Sequence, residues 1–224
     1  MYGLPNPSQC LEKQAPTKSE FKDLYNTRVS VFHEKELRSK SANNIRMRYL
    51  NISILGLNNK PHPAICGVFV SKDVEKMRLH VKFLCQDYLT YETQSEWSGC
   101  DPTCRLCRYT TSDPQDNTQS DKRSVDTIAH IVATCPALSD IRDQILKQIE
   151  ALTNSCVSNL NFTDYLKDEQ TLTHYLLDPS SMNLQTRVHV NDPVLPELFK
   201  LSRDLCYQLD KKRRAKLNSL AAKT

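Results

Sequence analysis

Four residues in the middle of the chain have the types and the spacing of a metal-ligand set. Cys104 and Cys107 are separated only by Arg105 and Leu106; His130 follows after an interval of twenty-two residues, and four residues then separate it from Cys135. A C-x-x-C turn brings two thiolates to one side of a tight bend, which supplies half of a tetrahedral Zn²⁺ site. His130 and Cys135 must supply the other half. On an unbroken α-helix, positions five apart point about 140° away from each other, so a continuous helix would misplace Cys135. Pro136 resolves this, because the residue before a proline is pushed towards extended geometry. The spacing predicts a short helix capped by Asp126, carrying His130 in its first turns and ending near Thr134, after which Cys135 swings back to the metal. Three rival readings stand beside this one. The C-x-x-C pair could be a redox dithiol, although no βαβ pattern surrounds it. Cys100 could replace one ligand, since its spacing to Cys104 is also usable. The four residues could also be neighbours by chance.

Other chemistries find little support. The four glycines, Gly3, Gly56, Gly67 and Gly99, stand far apart, which excludes a phosphate-binding glycine loop and a dinucleotide-binding fingerprint. No two aspartates are adjacent, and His33, His62, His80, His174 and His189 are scattered without a matching nucleophile pattern. The chain is expected not to be an enzyme. No apolar run is long enough to span a membrane, and no secretory signal is visible at the N-terminus. An intracellular location, nuclear or cytoplasmic, is expected. Nine cysteines, an odd number, fit poorly with a complete set of intrachain disulfides. Cys10, Cys66, Cys85, Cys156 and Cys206 read as small buried hydrophobes.

The net charge of +4 is unevenly spread. Residues 200–224 hold eight Lys/Arg against two Asp, and residues 38–82 hold nine against Asp73 and Glu75. Such local excesses point to an anionic partner on particular surfaces. The candidate contacts are Arg78 and Lys82, Arg105 and Arg108 beside the ligands, and Lys211, Lys212, Arg213 and Arg214 near the C-terminus. The last four also suit a nuclear-import signal. The competing reading is that these are solvated helix faces.

The elements that must position these residues are helical. Residues 1–18 form an irregular lead-in with Pro5, Pro7 and Pro16. A helical spacer region, 19–95, starts at Ser19 as N-cap with Phe21, Leu24, Tyr25 and Val29 in helical period. Residues 45–57 are ambiguous between strand and helix, and Asn58, Asn59, Pro61 and Pro63 break the chain. A second helix, capped by Ser71, carries Val74, Met77, Val81, Leu84 and Tyr88 as one stripe, with Arg78, His80 and Lys82 available to a partner. The knuckle occupies 96–138 and includes a long polar insert, 108–127, expected to be a mobile loop. The C-terminal region, 139–224, holds a helix capped by Ser139 with the stripe Ile141, Ile145, Ile149 and Leu152, and a shorter helix near 168–177. A last helix starts at Asp192-Pro193 and carries Leu198, Leu201, Leu205 and Leu209 before its basic end. The expected fold is mainly α, with helical segments flanking a small zinc-ordered CCHC knuckle.

Cys104-Arg-Leu-Cys107 followed by His130-Ile-Val-Ala-Thr-Cys135-Pro-Ala-Leu and then Arg142 resembles the C-terminal CCHC zinc knuckle of non-LTR (LINE-type) retrotransposon reverse transcriptases. Upstream, Met1-Tyr-Gly-Leu-Pro-Asn-Pro7, Tyr49-Leu50-Asn51, His62-Pro63 and Met77-Arg78-Leu79-His80-Val81-Lys82-Phe83-Leu84 resemble the spacer after the polymerase thumb of such elements. The interval between Cys107 and His130 is longer than the family pattern, and no polymerase or endonuclease motif is present. The resemblance implies a non-catalytic module that binds template RNA or target DNA in support of reverse transcription. The alternative is a zinc-stapled protein-interaction domain, in a truncated or inactive copy of an element.

Overall fold

In the computed structural model, which describes residues 17–54, 61–66, 71–110, 124–154, 168–182 and 194–222, the chain is mainly helical. The described residues contain no extended strand, only one antiparallel bridge between Thr103 and Val125. Most of the lead-in, residues 111–123 of the polar insert and the Asp192-Pro193 helix start lie outside the described residues. No helix is long and apolar enough among the described residues to cross a membrane.

The chain divides into two units, one comprising Met1–Ile45 and Ile52–His62, the other Arg46–Asn51 and Pro63–Thr224. In the first, helix α1 spans Lys18–Ala42. Its cap is Thr17 rather than the expected Ser19. The Thr17 hydroxyl accepts from the Glu20 N–H at 3.3 Å, and Glu20 accepts from the Thr17 N–H at 2.7 Å. This reciprocal pair satisfies two donors at the helix start; Ser19, two residues later, is followed at the third position by Lys22, which has no acceptor to complete such a pair. The apolar stripe that announced the helix is only partly covered: Phe21 and Tyr25 are 41% and 43% exposed. The described part of the ambiguous segment, residues 45–54, contains two short 3-10 turns, Ile45–Met47 and Ile52–Ile54; residues 55–57 lie outside the described residues.

The second unit is built around its last helix, α7, Val194–Ala221. Leu198, Phe199, Leu205, Cys206 and Leu209 are fully buried along it, while Leu201 is half-buried. Each such leucine withdrawn from water contributes about 1.5–3 kcal/mol of transfer free energy. Against α7 pack α2 (Ser71–Leu84), α5 (Ser139–Asn154) and α6 (Glu169–Leu177). Ile141, Ile145 and Ile149 form the buried stripe of α5 as the spacing predicts. Ser139, however, is already helical, and its hydroxyl donates back to the Pro136 carbonyl at 3.0 Å instead of capping α5. Asp168 caps α6 by accepting from the Thr171 N–H at 2.7 Å.

On α2 the buried face differs in part from the predicted stripe. Leu84 is buried as expected, but Val74 is exposed, and His80 and Phe83, which lie off the stripe, are buried. Phe83 stacks on Tyr88 with ring centroids 4.1 Å apart. The His80 Nε2 lies 2.7 Å from the Leu177 carbonyl oxygen, which can only accept, so that nitrogen carries the proton. His80 is therefore core, not a surface neighbour of Arg78 and Lys82. Two further helices had no apolar period long enough to announce them: α3, Tyr91–Ser98, and α4, Arg105–Thr110. Thr90 caps α3, and Gly99 ends it in the left-handed conformation with φ 64°, where a glycine avoids the Cβ clash.

Candidate metal centre

The geometry around the four candidate ligands begins with a pinned loop. The Cys104 N–H donates to the Ser124 carbonyl at 2.9 Å, and the Asp126 N–H donates to the Pro102 carbonyl at 2.9 Å. These bonds flank the Thr103–Val125 bridge and bring the two ends of the long insert together. Cys104 then leads directly into α4, so its C-x-x-C turn is the first turn of a short helix. The Cys107 N–H points at the Cys104 sulfur.

The second half of the set sits on a helical turn that starts at Ile128. Its cap is Thr127, not Asp126: the Thr127 hydroxyl accepts from the His130 N–H at 2.9 Å. Asp126 is drawn elsewhere, as described below. From His130 to Thr134 the turn is a π-helix, closed by a bond from the Cys135 N–H to the His130 carbonyl at 2.6 Å. An i to i+5 bond widens the turn and brings the fifth residue back beneath the first. Cys135 itself adopts φ −59°, ψ 114°, the extended geometry imposed by Pro136. The predicted break thus occurs at the predicted place, through a widened turn together with the proline. The Cys135 carbonyl accepts from both terminal nitrogens of the buried Arg142 at 3.4 Å each.

The result is one cluster. The ligand atoms of Cys104, Cys107, His130 and Cys135 all lie within 4.8 Å of one another, a set able to hold a metal ion. The Cys107 sulfur is 3.2 Å from His130 Nε2 and 3.7 Å from the Cys135 sulfur. Cys104, His130 and Cys135 are buried, and Cys107 is half-buried. Cys100 is not a member, so the substitute ligand considered from spacing is not brought to the site. The Cys104–Cys107 pair is also not an isolated dithiol, because a third thiol and an imidazole converge on it.

Crowding shows in the acid–base behaviour of the thiols. Cys104 is pushed up to about 12 by its bond with the Cys135 side chain and by burial. Cys107 is pushed up to about 11 by burial and by the nearby Cys104. Three thiolates cannot share so small a volume without a cation, and a bound metal would reverse this by taking the place of the protons.

The basic residues singled out from sequence are placed unequally. Arg105 is exposed and lies over the Tyr91 ring, 4.6 Å from its centroid. Arg108 is exposed and 3.9 Å from Asp101. Arg78 and Lys211 are exposed and Lys82 half-buried, with no carboxylate partner for the three among the described residues. The rest of the C-terminal cluster does not project from a helix end, because α7 continues to Ala221. Lys212 pairs with Asp140, and Arg214 donates to Asp210 at 2.8 Å. Arg213 is buried: it donates to Asp126 at 2.6 Å, the two side chains being 9% and 1% exposed. Asp126 also accepts from the Tyr91 N–H at 2.8 Å. The expectation that all four cations face a partner is therefore corrected; Asp140 and Asp126, the counterparts of Lys212 and Arg213, lie too far away in sequence to be foreseen, whereas Asp210 stands one helical turn before Arg214. Tyr88 is core, as its place on the stripe suggested, with its hydroxyl donating to Asp210 at 2.9 Å.

Sequence reasoning passed over two residues at the centre. Thr134 Oγ1 is 3.1 Å from His130 Nδ1 and donates to Glu169 Oε1 at 3.2 Å. Thr134 stands four positions after His130, on the same helical face, which is a signal that could have been read. Glu169 comes from α6 and carried none. No family model, curated protein or solved structure matches the chain.

Proposed function

We propose that the chain is a zinc-stapled helical module that binds RNA or DNA, the non-catalytic C-terminal part of a reverse transcriptase resembling those of non-LTR retrotransposons. The observation that carries the zinc part is the convergence of three sulfurs and one imidazole nitrogen within 4.8 Å. A tetrahedron with metal–sulfur bonds of about 2.3 Å has edges of about 3.8 Å. The 3.7 Å separation of Cys107 and Cys135 and the 3.2 Å approach of His130 match a set that closes around such an ion with little movement. Four protein ligands leave no open position, so the ion would be structural. It would join the C-x-x-C turn to the π turn across the insert.

The nucleic-acid part rests on the resemblance and on the cations that remain available. Arg105 and Arg108 flank the ligands on α4, and Arg78, Lys82 and Lys211 are without carboxylate partners among the described residues. The test is binding of single-stranded RNA and of duplex DNA by the zinc-loaded chain at several salt concentrations. Affinity that falls steeply with salt supports the reading. No binding at low salt defeats it. The second reading, a zinc-stapled protein-interaction domain, is favoured by the pairing of Lys212, Arg213 and Arg214 with Asp140, Asp126 and Asp210. Salt-independent or absent nucleic-acid binding would select it.

A further inference from the structure

The bond from Thr134 to Glu169 sets the direction of every proton leading to the ligand cluster. A carboxylate can only accept. A threonine hydroxyl has one proton, and here it is given to Glu169 Oε1 at 3.2 Å. The same oxygen, 3.1 Å from His130 Nδ1, can then only accept from that nitrogen. The imidazole is thereby held with its proton on Nδ1, and the Nε2 lone pair faces the Cys107 sulfur at 3.2 Å. The opposite tautomer would place an N–H among the sulfurs and leave Nδ1 and the threonine oxygen as two acceptors facing each other.

We infer that Glu169, acting through Thr134, is a positioning residue for the metal site: it fixes the tautomer and ring orientation of His130 and so ties metal affinity to the seating of α6 on the π turn. The inference rests on the zinc reading above. Its setting is the close packing of α6 against the His130–Thr134 turn, with Leu172, Thr173 and Leu176 of α6 buried. A ligating histidine commonly donates its other ring N–H to a carboxylate, directly or through a polar bridge, and loss of that partner weakens metal binding about 10- to 100-fold. Because the Thr134–Glu169 bond lies at the surface, the lower end of that range applies here.

The test is competition between a zinc chelator and the full chain, for wild type, E169A, E169Q, T134V and T134S. Zinc should bind about tenfold more weakly to E169A and T134V. E169Q and T134S, which keep an acceptor and a hydroxyl, should stay within about threefold of wild type. A second measurement separates positioning from folding: nitrogen-15 NMR of the His130 ring in the zinc-loaded protein. Wild type should show the metal on Nε2 and a slowly exchanging proton on Nδ1, and E169A should show that proton exchanging faster. E169A within twofold of wild type, or zinc on Nδ1 in wild type, overturns the inference. Absence of zinc uptake by wild type would instead defeat the reading beneath it.

Discussion

Replacing Arg213 with alanine should destabilise the second unit far more than replacing its neighbour Arg214, although each change removes one positive charge from the same turn. Arg213 is 9% exposed and its partner Asp126 is 1% exposed. Without the guanidinium, Asp126 keeps the Tyr91 N–H as a donor at 2.8 Å but loses its charge partner, and remains a buried, uncompensated carboxylate. Removing one member of such a pair costs about 3–5 kcal/mol. Arg214 is 69% exposed, its contact with Asp210 spans one helical turn, and water replaces it at a cost of about 0–1 kcal/mol. For a unit of this size each kcal/mol moves Tm by about 2–4 °C, so R213A should lower Tm by about 6–20 °C and R214A by no more than about 4 °C. Thermal unfolding of the zinc-loaded chain followed by circular dichroism reads both. Equal shifts for the two variants, or a loss below about 1 kcal/mol for R213A, would refute the claim that Arg213 serves the fold.

Three further outcomes follow from the same packing. Burial holds the His174 imidazole below its ordinary value, against a smaller opposing effect of Asp178. Below pH 6.5 the unfolded chain therefore binds more protons at this site than the folded one, so stability is intact above that pH and declines as pH falls; H174Q should flatten this part of the stability profile. Leu205 is fully buried in the middle of α7, and L205A should cost about 2–5 kcal/mol in denaturant unfolding, through lost transfer energy and the cavity left behind. In nucleic-acid binding, alanine at Arg78, Lys82 and Lys211 should each lower the slope of log affinity against log salt by about 0.7–0.9, while K212A should leave it unchanged because that cation is held by Asp140.

The candidate site was legible wherever chemistry and spacing suffice. Two cysteines on one turn, and a histidine and a cysteine separated by a forced break before Pro136, define a ligand set without any knowledge of the fold. The form of the break was not legible, because a π turn leaves no mark in a 3.6-residue pattern. The cap fell to Thr127 rather than Asp126 because Asp126 is taken by Arg213, 87 positions away in sequence. The same long-range pairing hid the burial of the basic cluster: charge can be counted along a chain, but the partner acids Asp126 and Asp140 are brought to α7 only by tertiary packing. On α2 the three- and four-residue spacing identified a helix correctly, yet a competing face with His80 and Phe83 went inside. A buried histidine bonded to the Leu177 carbonyl can serve as core when its polar atom is satisfied, which composition alone does not reveal.

The central claim is that Cys104, Cys107, His130 and Cys135 together hold one metal ion. Metal analysis of the purified chain and its single variants tests it most directly. The account predicts one zinc per chain in wild type and in C100S, and a clear loss in C104S, C107S, H130A and C135S. Full zinc content in C104S or C135S, or none in wild type, would contradict it.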